Sequence, residues 1–496
     1  MDFYSAVLMK AGLSLRGAII IPNILFQITL FGLLFFLAYR LTGLKKVGAL
    51  AVILFIFSGY PAPYLFESLL PQFAVEFLNP MYAVIMPQRT AIFGMAISFA
   101  VYIILYEALF KIEPESKGKS KPVLLYKELF LAGTLIGLLP YIHAHSFMAT
   151  AFVSSALICI AAFKNGTNNR SSQYSAWKLP DMTDLRIFMC VFAPLILLSL
   201  PQILCIRTGV TDNFFVFFPG WTEKNSELIL GLDWSFLCAF SSVARSFLLI
   251  LYLWLLNLGI LFLLLPLGLL KSTRAVRLFY LPFLLLFVGA NLVKFQPWYF
   301  DNYKLFLHWY ALTVILAAVA IFWLCDSVSK RRKSISAFVF IALVSSCIFF
   351  GVGTHVWMLE KDCQMWSGEE LEVAEWVRDN TASDAVFLTG SAHNHPIPSL
   401  SGRQRVMGYE GWLWSHGMNW TCINARKNAE LEMYKGDYTL VKAYGVDYVC
   451  ICAHERAFAS DNHFVINYSA FGDPTRFDLQ FDEVIDGGSC RIYEVK

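Results

Sequence analysis

Asp301, Asn302 and Lys304 fall within four residues of one another, in the stretch VKFQPWYFDNYKLFLHWY. Trp298, Tyr299 and Tyr303 surround them, and Lys294 and Gln296 precede them. A carboxylate can take the proton of an attacking hydroxyl, and an ammonium can stabilise a departing phosphate. Asp301 is therefore the candidate base, with Lys304, Asn302, Gln296 and Trp298 as candidate substrate contacts. A plainer reading stays open: Asp301 as a helix cap or as the ion-pair partner of Lys304, inside an interfacial aromatic belt.

Three other places hold residues of the right kind. Arg89, in MPQRTAIFGM, could grip a phosphate through its forked guanidinium, or could simply snorkel to an interface. His143 and His145, in GLLPYIHAHSF, stand two apart. That spacing is not the i,i+4 pair of a helical zinc motif, and no complete ligand set accompanies it. Substrate contact or proton handling competes there with an inert interfacial pair. In SGRQRVMGYEGWLWSHG, the residues Arg403, Tyr409, Trp412, Trp414 and His416 suggest a loop lying against a ligand or a membrane. Core packing beneath a long loop is the alternative. No Walker loop, dinucleotide fingerprint, zinc-finger spacing or nucleophile elbow is present, so the motifs imply no metal and no soluble cofactor.

The elements that must position these residues are long apolar helices. The chain is 57% apolar and 15% charged, against about 45–50% and about 25% for ordinary soluble domains. The excess sits in runs long enough to span a hydrocarbon core of about 30 Å. Ten spans are predicted, near 17–39, 47–60, 91–110, 129–142, 146–163, 187–206, 246–270, 278–293, 304–325 and 335–357. The second and fourth are short. The loops after the odd-numbered spans, at 40–46, 111–127, 164–186, 271–277 and 326–333, are rich in Lys and Arg; the last holds Lys330, Arg331, Arg332 and Lys333 in a row. With ten spans all five fall on one side, which the positive-inside rule makes cytosolic. Both termini then lie on the other side, together with Arg89, His143, His145 and Lys304.

Residues 1–357 thus form a transmembrane domain and 358–496 a water-soluble one, giving an α-helical polytopic membrane protein with a C-terminal lumenal α/β domain. The soluble part carries 12 Lys and Arg against 21 Asp and Glu, while the rest of the chain is net basic. It has no basic patch with interleaved aromatics, so nucleic acid is not an expected partner; the lipid bilayer is. Ser367 and Glu370 form a capping box for a helix ending near Asn380. Strands are expected at 385–390, 446–452 and 490–495, and a second helix near 425–444. Asn419 and Asn467 stand in sequons and would be glycosylated on the lumenal side, while those at Asn165 and Asn169 should stay bare. The domain's five cysteines could pair in such a compartment, with at least one left over. Cys450 and Cys452 share a strand face, a poor geometry for pairing with each other.

The chain resembles the GT-C superfamily of polytopic glycosyltransferases. The likeness rests on GAIIIPNILFQITLFGLLFFLAYRLTG followed by KKVGALAVILFIFSG, on MPQRTAIFG, GLLPYIHAHSF and QPWYFDNYK, and on a C-terminal domain beginning AEWVRDNTASDAVFL. The resemblance implies a sugar transferred from a polyprenyl-phosphate donor to an acceptor at the lumenal face of the endoplasmic reticulum, with Arg89 and Lys304 on the phosphate. It does not identify the acceptor. Such enzymes usually open with a span and a large lumenal loop bearing catalytic acids; this sequence opens at what resembles the amphipathic segment after that loop. The resemblance therefore implies a truncated product or a relative lacking the usual base. Asp301 and Glu67 remain as lumenal carboxylates, and the family pattern assigns catalysis to neither. A catalytically inactive partner or lipid-binding subunit is the alternative; a transporter fits less well, because no inverted repeat is seen.

Overall fold

The computed structural model describes residues 2–59, 80–110, 121–168, 182–206, 215–218, 247–248, 250–251, 254–255, 257–295, 299–330, 332–360, 364–485 and 488–496. Two compact units result, one of residues up to Glu360 and one of 361–496.

Each of the ten predicted spans contains helix among its described residues, but the second stops at Phe57 and the fourth at Gly137, short of their expected ends. A short helix α1 (Asp2–Lys10) leads into α2 (Leu15–Thr42). Ser14 caps α2 by accepting the Gly17 N–H, and Gly43 ends it at φ 74°, where a glycine meets no steric penalty. Then come α3 (Lys45–Phe57), α4 (Arg89–Leu109), α5 (Lys121–Gly137), α6 (Ala144–Asn168), α7 (Met182–Ile206), α8 (Ile260–Lys271), α9 (Arg274–Leu292), α10 (Tyr303–Ser329) and α11 (Lys333–Glu360). Among the described residues, seven helices are long and apolar enough to cross a bilayer. Helices α3, α5 and α8 are shorter, at 13, 17 and 12 residues. The protein is an integral membrane protein built on a helical bundle.

The bundle sorts charge by end. Arg40, at the C-terminal end of α2, pairs with Glu107, at the C-terminal end of α4. Lys46 lies 3.7 Å from Asp326 and 4.5 Å from the Phe322 ring, and Lys271 lies 4.1 Å from the Trp323 ring. The residues flanking the first, seventh and ninth spans therefore meet at one end, as the basic-loop alternation requires. Small residues let the helices approach. At Gly268 a Cβ would collide with the Leu316 carbonyl of α10, and at Gly351 with the Phe57 carbonyl of α3.

The C-terminal unit is α/β. Its sheet runs β4 (Gln404–Arg405), β3 (Val386–Leu388), β5 (Tyr448–Ile451), β7 (Gly488–Val495), β6 (Phe477–Ile485). The first three are parallel; β7 pairs antiparallel with β5 and β6. Helix α12 (Gly368–Asn380) carries the Ser367/Glu370 capping box. Helices α13 (Glu410–Ser415), α14 (Trp420–Tyr434), α15 (Tyr438–Ala443), α16 (Ala453–Asp461) and α17 (Tyr468–Phe471) complete it. The single helix expected near 425–444 is two, because Gly436 breaks it at φ 106°. Cys452 is bonded to Cys490 on the neighbouring strand, while Cys450 and Cys422 are free. Cys363 lies outside the described residues.

Overpacking at a close helix crossing costs about 1–3 kcal/mol. We expect Gly268→Ala and Gly351→Ala each to lower the thermal midpoint of the purified chain in detergent. Gly289→Ala, where no atom lies within 4 Å of the added Cβ, should leave it unchanged.

Candidate functional site

The chain leaves α9 through β2 (Val293–Lys294), which pairs with β1 (Val216–Phe217), and re-enters the bundle through a turn at Tyr299–Asn302. Asn302 is fully buried and holds that turn. Its amide donates to the Ala290 carbonyl at 3.2 Å and the Val293 carbonyl at 2.7 Å, and its oxygen accepts the Phe295 N–H at 3.1 Å. Three bonds leave this side chain a scaffold role rather than a ligand contact. Asp301 pairs with Lys304 at 2.8 Å, both largely buried. Of the two plain alternatives open to Asp301, the ion pair is the one formed. Gln296, Trp298 and Glu67 lie outside the described residues.

Lys304 stands close enough to His143 for its charge to act on that ring. His143 is buried, with Nδ1 2.8 Å from Ser146 Oγ and receiving the Ser146 backbone N–H at 3.3 Å. Its Nε2 has no hydrogen-bond partner among the described residues. The half-buried His145 ring lies 5.3 Å away. Behind Ser146, His308 Nε2 approaches Oγ at 3.5 Å, and His308 Nδ1 meets the Tyr102 hydroxyl at 2.9 Å. Gly94 of α4 makes room: a Cβ there would come within 2.7 Å of His143 Cβ and 2.9 Å of Ser146 Oγ.

Arg89 opens the same helix α4 but faces elsewhere. It donates to Asn23 Oδ1 at 3.1 Å and to Ser5 Oγ at 2.7 Å, joining α4 to α2 and α1. Five residues separate it from Gly94, a rotation of about 140° around the helix. The residues brought together are thus Asp301, Lys304, His143 and His145, with Arg89 on another flank of α4. Sequence reading missed His308, Ser146 and Tyr102. The available signal was His308 itself, an ionisable residue inside a span and one helical turn after Lys304.

In the C-terminal unit, Arg403 is committed to the end of α12. It donates to Thr381 Oγ1 and to the carbonyls of Arg378, Thr381 and Ser401 at 2.7–2.9 Å. Those are orphan acceptors of a helix terminus, so Arg403 acts as a clamp. Tyr409 and Trp412 are exposed and stand 4.9 Å and 4.3 Å from the His393 ring. Trp414 lies stacked on Trp420 at 6.0 Å, and His416 bonds back to the Trp412 carbonyl. The exposed sequon residues Asn419 and Asn467 are both helix N-caps.

A second buried polar cluster was not anticipated. Glu455 accepts from His395 Nε2 at 2.8 Å, from the Gly390 and Cys452 backbone N–H groups at 2.9 and 2.8 Å, and from the Cys450 thiol at 3.4 Å. Burial opposes its charge, but His395 and the two N–H groups outweigh burial and bring its carboxyl down to about 2. Burial and the Glu455 charge push the Cys450 thiol up. Ligand atoms of His395, Cys450 and Glu455 lie within 4.8 Å of one another, a spacing that could hold a metal ion. The tautomer opposes that use. His395 Nδ1 accepts the Ile397 N–H at 3.3 Å, so its proton sits on Nε2, where a metal would have to bind.

No family model matches the chain, and no curated protein does. Solved structures similar to it are those of the Archaeoglobus fulgidus oligosaccharyltransferase. One, a complex with Zn and sulfate, is 11% identical with a TM-score of 0.44, over 90% of this chain and 57% of that one. Another, AglB bound to an inhibitory peptide and a dolichol-phosphate, is 11% identical with a TM-score of 0.44, over 90% and 60%. The chain spans less than two thirds of the length of these structures.

Glu455, held near 2 against an ordinary 4.5, stabilises the fold fully above the unfolded value. That contribution is lost as pH falls from about 4.5 towards about 2. We expect Glu455→Gln to lower the protection of β5 amides from hydrogen exchange at pH 6 in the full chain, with the difference shrinking below pH 4. Equal protection of variant and wild type at pH 6 would remove the buried carboxylate from the domain's stability.

Proposed function

We propose that this protein is a glycosyltransferase-like membrane protein that takes a polyprenyl-phosphate-linked sugar on the lumenal side of the endoplasmic reticulum. The observation that carries the reading is a buried polar site at one end of an otherwise apolar bundle. There Lys304, paired with Asp301, lies within charge range of His143, whose Nε2 has no partner among the described residues. Ionisable groups are costly in hydrocarbon and are retained there for a ligand or a partner. A lipid phosphate supplies an anion at that depth, and no nucleotide site is needed because the donor is itself a lipid.

In this reading Lys304 and His143 hold the phosphate, with His145 beside them, while Arg89 on another flank of α4 ties that helix to α1 and α2. Transfer breaks the bond between the sugar's anomeric carbon and the phosphate oxygen, and forms one to an acceptor hydroxyl. The hydroxyl's proton goes to a carboxylate, for which Asp301 is the candidate, and the polyprenyl phosphate leaves with its charge stabilised by Lys304. A second reading, a lipid-binding subunit without turnover, draws support from the Asp301–Lys304 pair, because a carboxylate engaged by an ammonium is a less available base. The Cys452–Cys490 bond favours an oxidising compartment for the C-terminal domain.

We expect the purified chain in detergent to bind a short-chain polyprenyl-phosphate hexose, and Lys304→Ala to weaken that binding about tenfold, the scale of one lost bond to a charged group. Equal binding by both would sink the site. Sugar transfer abolished by Asp301→Asn makes Asp301 the base; binding without transfer assigns the lipid-binding reading. Glycosylation mapping in microsomes should find Asn419 or Asn467 modified, and Asn165 and Asn169 bare. A glycan at Asn165 with the C-terminal domain protected inside would reverse the orientation.

A further inference from the structure

The hydrogen bonds behind His143 determine which ring nitrogen faces outward. Nδ1 receives the Ser146 backbone N–H at 3.3 Å, and a ring nitrogen that accepts an N–H carries no proton of its own. The Ser146 hydroxyl, 2.8 Å from the same atom, therefore donates to it. Its oxygen is left to accept from His308 Nε2–H at 3.5 Å, and His308 Nδ1, then unprotonated, accepts the Tyr102 hydroxyl at 2.9 Å. Every link runs in the same direction: Tyr102 to His308, His308 to Ser146, Ser146 to His143. All four side chains are buried, and Gly94 leaves the space that lets the ring and Ser146 approach.

We propose that Ser146 and His308 are positioning residues that hold His143 as an Nε2–H donor, and that this donor binds a non-bridging oxygen of a phosphodiester. Among the described residues, Nε2 of His143 has no hydrogen-bond partner, and it is buried. A buried donor with no acceptor is a deficit that an incoming acceptor removes. Lys304 is the cation whose charge reaches His143, and Asp301 is paired with it. That setting favours an anionic acceptor. The ligand half of the proposal rests on the function proposed above, while the tautomer half stands on the hydrogen bonds alone. His143 then serves as a neutral donor and not as an acid or base, and its chemistry is reproducible by an amide.

The tautomer is read directly. In the full chain, labelled with 15N-histidine in detergent, the His143 signals are assigned by their loss in His143→Gln. We expect a protonated Nε2 and an unprotonated Nδ1; the reverse assignment overturns the proposal, whether or not any lipid binds. His308→Leu should mix the two tautomers and weaken ligand binding several-fold, and an unchanged signal with unchanged binding removes His308 from the positioning role.

Binding is measured with a short-chain polyprenyl-phosphate hexose, a diester that does not titrate between pH 6 and 8, with inorganic phosphate and with the uncharged polyprenol. His143→Gln, whose amide can donate but cannot carry a charge, should bind the diester within about threefold of wild type, and His143→Leu about tenfold more weakly. The ratio of wild type to His143→Gln should stay flat from pH 6 to 8. A ratio that grows as pH falls, or a glutamine variant as weak as the leucine one, overturns the neutral-donor role. Polyprenol binding as tightly as the diester overturns the phosphate contact, and inorganic phosphate binding as tightly identifies free phosphate as the source. If wild type binds none of the three, the ligand half and the proposed function fall together, while the nitrogen signals still decide the tautomer.

Discussion

Helix α10 is buried without interruption from Leu305 to Ala318. A helix surrounded by other helices in an apolar solvent must satisfy every polar group it carries from within the bundle, because no water is at hand. This constraint organises the membrane unit. Thr313 bonds back to the Trp309 carbonyl and meets the Tyr280 hydroxyl at 3.1 Å; the Tyr310 hydroxyl reaches the Leu54 carbonyl at 3.0 Å. His308 is taken up by Tyr102 and Ser146, and Lys304 by Asp301. The bonds of His308, Tyr310 and Thr313 tie α10 to α4, α6, α3 and α9, so the polar residues of one helix fix the arrangement of those around it. Among the described residues, Trp309 Nε1 on α10 and His143 Nε2 beside it depart from the pattern, being buried without a hydrogen-bond partner.

The Lys304 end of α10 is closed by backbone satisfaction. The chain between α9 and α10 is irregular, and irregular backbone at membrane depth needs partners. Asn302 supplies three from one side chain, and the short β1–β2 pair supplies others. Asp301 and Lys304 flank that clip, so their separation is set by a rigid turn and not by free side-chain rotation. An anion bound at Lys304 would have to compete with Asp301 for the ammonium.

The C-terminal unit solves its polar problems with one carboxylate. Glu455 caps α16 through the Cys452 N–H, anchors the end of β3 through Gly390, and holds His395 and the Cys450 thiol. A buried anion with four donors is stabilised by them, and it fixes three separate segments in register. The Cys452–Cys490 bond closes the same region across β5 and β7. Arg403 does comparable work at the end of α12.

Local pattern was enough to read much of this. The ten apolar runs hold helix, seven of them long enough to span among the described residues, because hydrocarbon leaves the backbone no other way to pair its own groups. Basic loops alternated because Lys and Arg resist translocation, and the Ser367/Glu370 box started α12 because its bonds close within four residues. Asp301 and Lys304 were legible as a pair for the same reason, being three apart on one helical turn. The partners of Asn302, Arg403, His308 and Glu455 were not legible. Tyr102 and His308 are 206 residues apart, and Gly390 and Glu455 are 65 apart. Residue type announces that a buried polar group must be satisfied, but the donor that satisfies it is chosen by which helices and strands pack together. That choice also separated Arg89 from His143, because two residues at the same end of a bundle share a site only if their helices turn the same faces inward.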